Sequence, residues 1–153
     1  MARMEDLVES EQEHLRRLPL PQFDTTPWVT GPPLAERRVA IVTSAGLSLR
    51  GEKLFTRGAA DYRVIAGDAD TADVLMNHVS VNFDRTGFQD DVNVVYPIDR
   101  LKEMAAAGEI GSVADFHYSF MGATDTAPME ASARELAGMM KADRVDAVIL
   151  TPV

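Results

Sequence analysis

The 153 residues carry 24 acidic against 15 basic side chains, a formal net charge of −9, with 46% apolar and 25% charged content. That is enough chain for one folded domain, and its charge balance repels phosphate backbones and anionic membranes, so neither nucleic acid nor membrane is an expected partner. There are no cysteines, which removes disulfides, thiolate metal sites and thiol catalysis from these residues.

The first twenty residues include Glu5, Asp6, Glu9, Glu11 and Glu13. They lack the basic start and apolar middle of a secretory signal. No run approaches the roughly 20 apolar residues of a membrane span, so a cytoplasmic protein is expected. Residues 5–17 read as a helix with acids early and Arg16 and Arg17 late, an order that complements the helix dipole. Only Leu7, Val8 and Leu15 offer it a packing face. Between 18 and 34 stand Pro19, Pro21, Pro27, Pro32 and Pro33, too dense for helix or central strand. This stretch is expected to be an extended arm, anchored by Phe23 and Trp28 on its own domain or on a partner. Residues 1–35 thus form a helix and proline-rich arm, and 36–153 an α/β domain.

The domain opens with Arg38-Val39-Ala40-Ile41-Val42-Thr43-Ser44, a β-branched run ending in small polar residues and Gly46. This pattern predicts a buried parallel strand entering a loop. A second, edge strand is expected over 61–67, a short helical turn over 69–76, and a third apolar run at 92–96. Pro97 precedes a helix starting at Ile98, with Ile98, Leu101 and Met104 or Ala105 on one face and Gly108 closing it. The stretch 111–122 reads as irregular or extended. Thr126 is placed to cap a helix over 128–142. Residues 145–150 form another run of buried-strand composition, expected to be central and covered on both faces. Strands alternating with helices predict a doubly wound, mainly parallel sheet, incomplete at the C-terminus because no helix follows this last run. Ligand sites in such sheets lie just past the carboxyl ends of the strands, which is where Val153 stands.

Several segments together resemble the selenoprotein B family of the glycine, sarcosine, betaine and D-proline reductases. They are residues 38–47, Phe83-Asp84-Arg85-Thr86, Asp91-Val92-Asn93-Val94-Val95-Tyr96-Pro97-Ile98-Asp99-Arg100-Leu101, Gly108-Glu109-Ile110-Gly111, His117-Tyr118-Ser119-Phe120-Met121-Gly122 and Asp146-Ala147-Val148-Ile149-Leu150-Thr151-Pro152-Val153. The resemblance runs over about 38–153, and the size is similar to the short, D-proline-reductase-like branch. It implies an oxidoreductase subunit that cleaves a C–N bond of an amino acid or amine. A selenocysteine or cysteine is expected directly after Val153, with a second cysteine nearby. Selenocysteine is encoded by UGA, and conventional reading of such a gene would stop at this point. The resemblance further implies a carbonyl group of pyruvoyl type on a partner subunit, other reductase subunits, and a dithiol or thioredoxin-like electron donor. No catalytic residue is then expected within these 153 residues, and the chain by itself should be inactive. The rival readings are a non-catalytic binding or assembly subunit that ends naturally at Val153, and a hydrolase or isomerase using His117 and Asp84.

The candidate substrate-binding residues are Ser44, Gly46, His78, Asp84, His117 and Ser119. Thr43, Ser44 and Gly46 follow the first strand and are placed to share a crevice with the segment after Leu150. His78 with Asp84 and Arg85 forms either a proton-transferring cluster or a packed histidine beside a local turn. His117, in a stretch that ends at Gly122, is either a ligand contact or a buried histidine bonded to a backbone carbonyl. Thr43 to Gly51 has neither the Gly-x-Gly-x-x-Gly nor the Gly-Lys-Ser/Thr spacing of a nucleotide loop. Three scattered histidines and the adjacent pair Asp90 and Asp91 predict no metal site. Met139 and Met140 are expected in the core.

Overall fold

The computed structural model describes residues 3–18, 22, 24, 26, 28–81 and 83–153. Its centre is strand β1 (Arg38–Thr43), whose Val39, Ala40 and Ile41 are almost wholly buried. On one side β1 pairs in parallel with β5 (Ser112–Val113) and then, after a two-residue break, with β6 (Phe116–Ser119). On the other side it pairs in parallel with β7 (Ala147–Thr151). Strand β3 (Arg63–Ala66) closes the far edge, antiparallel to β6. Two short strands, β2 (Leu47–Leu49) and β4 (Val74–Met76), make a separate antiparallel pair. The class is therefore α/β, but the main sheet is mixed, not uniformly parallel.

Alternation along β1 divides the core between the two sheet faces. Val39 and Ile41 pack with Tyr96, Ile98, Leu101 and Ile110. Val42 lies on the other side with Tyr118, Phe120 and Leu136. Helix α3 (Ile98–Ala106) serves the first face and helix α4 (Glu130–Ala142) the second. Gly108 ends the α3 segment at φ 73°, the left-handed position that a glycine takes without strain. Its neighbour Glu109 returns an N–H to the Met104 carbonyl at 2.9 Å.

Several expectations change. Residues 111–122 contain β5 and β6, so of the two expectations for this stretch, irregular or extended, the extended one holds, and β6 lies between β1 and β3. Its apolar pattern is masked because His117 and Ser119 occupy buried positions. The expected turn near 69–76 is a single 3₁₀ turn (Thr71–Asp73), followed directly by β4. The apolar run at 92–96 is a 3₁₀ turn (Val92–Val94) leading into buried Val95 and Tyr96. The turn Ala127–Met129 precedes α4, and Thr126 makes no side-chain cap. β7 is an edge strand: it pairs only with β1 among the described residues. Val148, Ile149 and Leu150 remain 39%, 37% and 71% exposed. Helix α4 packs over Tyr62, Val64, Tyr118 and Phe120 instead, on the opposite side of β1 from β7.

The N-terminal helix α1 covers Glu9–Arg17 and buries no residue. Trp28 is 87% exposed, so it does not anchor an arm on this domain. Phe23, the other expected anchor, lies outside the described residues. No helix among the described residues is long and apolar enough to cross a membrane.

Candidate functional site

Three parallel strands end side by side, and their ends are tied to one another. The Ser44 N–H donates to the Thr151 carbonyl at 3.1 Å, the Phe120 N–H to the Thr43 carbonyl at 2.9 Å, and the Gly122 N–H to the Ser44 carbonyl at 2.8 Å. Ser44 Oγ also accepts the Val153 N–H at 2.8 Å. These contacts frame a crevice of about 380 Å³ past the carboxyl ends of β1, β6 and β7, where open α/β sheets place their ligands. Its walls include Val42, Phe120 and Leu150, and Ser44, Thr124 and Thr151 also line it. Thr124 Oγ1 and Thr151 Oγ1 are inaccessible to water yet have no hydrogen-bond partner among the described residues. A buried hydroxyl without a partner is costly, and because both oxygens are covered, a ligand in the crevice would reach them only after the lining shifts.

Gly122 sets how closely the loop after β6 approaches. A Cβ there would lie 2.7 Å from Val153 O and 2.9 Å from Ser44 O. Both are backbone atoms of strand ends, so the clash cannot be relieved by a rotamer. We expect Gly122→Ala to cost about 1–3 kcal/mol by overpacking and to splay the crevice. Urea unfolding reads the first effect. Native-like stability would show that the loop simply shifts aside.

Of the six residues expected to bind substrate, Ser44 lies in this crevice. Gly46 is one turn further on, at φ 69°, donating its N–H to the Phe120 carbonyl at 2.9 Å. A Cβ there would meet Met121 Cε at 2.7 Å and the His78 backbone at 3.2 Å, so the need for glycine at this position is internal packing. His78 is buried against Phe83, with ring centroids 5.0 Å apart. Its Nδ1 accepts the Ser80 N–H at 3.2 Å. Burial, then the nearby Arg85 cation, lowers its pKa from the ordinary histidine value. Asp84 points outward and caps a local turn, accepting the Thr86 N–H at 2.9 Å and the Thr86 hydroxyl. His78, Asp84 and Arg85 thus form a packed histidine beside a turn, not a convergent cluster.

His117 and Ser119 lie inside the core. His117 is fully buried against Tyr96, and its Nδ1 accepts the Ile41 N–H at 3.0 Å. The ring therefore carries its proton on Nε2, and it receives a backbone bond where donation to a carbonyl was expected. Burial pushes its pKa down to about 4, so the imidazole is neutral at pH 7. Ser119 Oγ accepts the Leu47 N–H at 2.8 Å, joining β6 to β2. Both are framework residues by position. The reading of the sequence missed Thr124 and Thr151. For Thr151 the signal was present, because it follows the 145–150 run as Thr43 and Ser44 follow the first. Thr124 is brought in by the path of the loop after β6, which no local pattern announces.

Comparison with known proteins bears on this site. A sequence model of the glycine/sarcosine/betaine reductase selenoprotein B family matches residues 6–153. The D-proline reductase subunit gamma of Acetoanaerobium sticklandii is 34% identical over 121 residues, covering 77% of this chain and 49% of that protein. The glycine reductase complex component B subunit gamma of Symbiobacterium thermophilum is 33% identical over 141 residues, 87% of this chain and 32% of its own length. The betaine reductase complex component B subunit beta of Peptoclostridium acidaminophilum is 27% identical over 150 residues, 93% and 34% respectively. The chain thus spans about half the length of the first relative and a third of the others. No solved structure matches.

Proposed function

The chain belongs to the glycine/sarcosine/betaine reductase selenoprotein B family, and on that premise we propose that it is a subunit of a selenol- or thiol-dependent reductase that splits a C–N bond of a small amino acid or amine. In the net reaction the C–N bond breaks and a dithiol becomes a disulfide. The two electrons and two protons released end in new C–H and N–H bonds. The observation that carries this reading is the family match over 6–153, together with a strand-end crevice whose two buried hydroxyls lack partners.

Residues 1–153 hold no cysteine, so the reactive selenocysteine or cysteine is proposed to be supplied from outside them and presented at the mouth of the crevice. Such a group supplies a soft nucleophile that tolerates two-electron redox change, while a carbonyl on a partner subunit activates the amine. The chain's own residues prepare the place. Ser44 holds the ends of β1 and β7 together through its bond to Val153. Thr124 and Thr151 line the crevice, and their hydroxyls can donate to a carboxylate or accept from an ammonium once the groups that cover them shift. Val42, Phe120 and Leu150 give apolar walls that exclude water and strengthen those polar contacts.

The test is to isolate the assembly containing this chain from its native host. It is supplied with dithiothreitol and each of glycine, sarcosine, betaine and D-proline, and dithiol oxidation and the cleaved amine are measured. Turnover of at least one substrate is expected from the assembly and none from the 153-residue chain by itself. An assembly that turns over none of the four would refute the reductase reading. It would favour the second reading, a non-catalytic assembly subunit, for which the exposed Val148, Ile149 and Leu150 of β7 are the supporting observation.

A further inference from the structure

Strand β7 leaves two kinds of surface bare at once. Its side chains are the first. In the parallel register Val148 stands beside Ala40 and Leu150 beside Val42, and paired residues turn to the same face of a sheet. Val148 and Leu150 therefore share the face on which Val42 packs with Tyr118 and Leu136. Helix α4 covers that face on the far side of β1, so Leu150 stays 71% exposed and Val148 39%.

Its main chain is the second. The Val39 and Thr43 carbonyls accept from Ala114 and Phe120 on the β5–β6 side, while the Ser44 N–H donates to the Thr151 carbonyl. Main-chain groups of successive residues in a sheet point alternately to the two sides. Ala147, Ile149 and Thr151 thus face β1. Val148 and Leu150 turn their N–H and C=O groups outward, where no strand pairs with them among the described residues. An apolar edge of this kind is a template for a further strand. The opposite edge strand, β3, has no exposed residue.

Topology says which side of β7 is to be covered. The chain passes from β6 through α4 to β7, in parallel and across β1. Such crossovers are right-handed with rare exceptions. A connection from β7 to a further parallel strand beside it runs in the same direction, so the same hand lays its helix on the α4 side. That is the side on which Val148 and Leu150 are bare. Leu150, Val42 and Met129 also line the crevice, so a helix placed there would form part of its wall.

We propose that β7 is the docking edge for one helix and one parallel strand, carried by the part of the same protein outside residues 1–153. The helix lays an aliphatic stripe on Val148 and Leu150, and the strand bonds the outward main-chain groups of those two residues. The relatives' length argues for this occupant. The match takes up 49% of the D-proline reductase subunit and 32% of the glycine reductase subunit, which leaves ample chain for such a unit. Two copies joined edge to edge about a two-fold axis would pair their β7 strands antiparallel and leave Leu150 without a covering helix.

The experiment compares the product of this gene isolated from its native host with the recombinant 153-residue chain, by intact mass and residue-resolved hydrogen exchange. The native product should be longer than the recombinant chain. The Val148 and Leu150 amides should exchange freely in the recombinant chain and more than about tenfold more slowly in the native product, with Ile149 protected in both. Leu150→Asp should leave the urea midpoint of the recombinant chain unchanged, because that side chain is in water there, and should lower the midpoint of the native product. A native product that ends at Val153, or protection that appears only on dimerisation or with a separate subunit, would overturn the occupant. Equal exchange of Val148 and Leu150 in the two proteins would overturn the docking edge. None of these readouts involves turnover, so the reductase reading is judged apart from them.

Discussion

Arg38→Ala should lower the stability of the folded chain by about 3 kcal/mol, the scale for removing one partner of a largely buried ion pair. The Arg38 side chain sits where β1 starts and is only 19% exposed; that of Asp143, just after α4, is 12% exposed. Its guanidinium bonds the Asp143 carboxylate, donates from Nε to the Asp143 carbonyl at 2.8 Å, and donates from Nη1 to the Val113 carbonyl at 2.9 Å. The other Asp143 oxygen accepts the Asp115 N–H at 3.0 Å, and the Arg38 N–H itself donates to Asp146 at 3.0 Å. One residue therefore ties β1 to the β5–β6 link and to the α4–β7 link. The contact with Asp115 adds little, because that carboxylate is 74% exposed and solvent screens it.

Removing the guanidinium leaves the Asp143 carboxylate and two carbonyls short of partners, which is why the loss should exceed that of an ordinary surface pair. Arg38→Lys should recover only part of it, since a single ammonium cannot reach the same three acceptors. Urea unfolding of the three proteins measures the effect. A loss below about 1 kcal/mol for Arg38→Ala would place the pair in the solvent-screened class. The network lies at the amino end of β1 and the crevice at the carboxyl end, so ligand binding below the unfolding transition should be unchanged.

The protein should also lose stability in acid in a window set by His117. Burial holds its folded pKa at about 4, against an ordinary histidine value of about 6.5. Between those values the unfolded chain binds more protons than the folded one, so stability falls as pH falls. Above about pH 6.5 neither state is protonated at this ring and the contribution is flat. Below about pH 4 both are protonated and the loss is complete, on the order of 3 kcal/mol at most. His78, whose pKa burial also lowers, acts in the same direction. Asp84 and Asp91 are held below the usual carboxylate value by their bonds to Thr86 and Asn93. Their contributions are lost only at lower pH, as those carboxylates protonate. His117→Gln isolates the ring: glutamine offers the Ile41 N–H an oxygen acceptor but has no titrating group. Unfolding midpoints from pH 4 to 8 should fall more steeply toward acid in the native chain than in the variant. Parallel curves would mean that the imidazole does not drive the acid response.

These two residues show what a linear reading can and cannot reach. Arg38 stands at the front of an apolar run, and its strand was legible. Its role was not, because Asp143 and Asp146 lie more than a hundred residues away and meet it only through strand pairing. His117 was legible as a residue of interest. A histidine in a mixed apolar and polar stretch is compatible with a ligand contact or with a core position, and only the pairing of β6 between β1 and β3 decided between them. The same pairing explains why 111–122 could be read only as irregular or extended, and not as a buried strand: burial there is satisfied by Ser119 bonding Leu47 and His117 bonding Ile41, not by an apolar run.

By itself the sequence determined the α/β class, the strand runs at 38–44 and 145–150 (found at 38–43 and 147–151), the helix closed at Gly108 and the family, because each rests on local pattern or on motifs kept in order. The tertiary structure decided which strand is central. β1 is enclosed on both sides, whereas β7 has the composition of a central strand and the position of an edge. Composition reports how apolar a strand is and carries no record of which neighbours cover it. Tertiary structure also decided the membership of the crevice, of which Ser44 was foreseen and Thr124 was not. A site past the strand ends is assembled from chain segments whose only relation is hydrogen bonding between strands, and that relation is absent from any single stretch of residues.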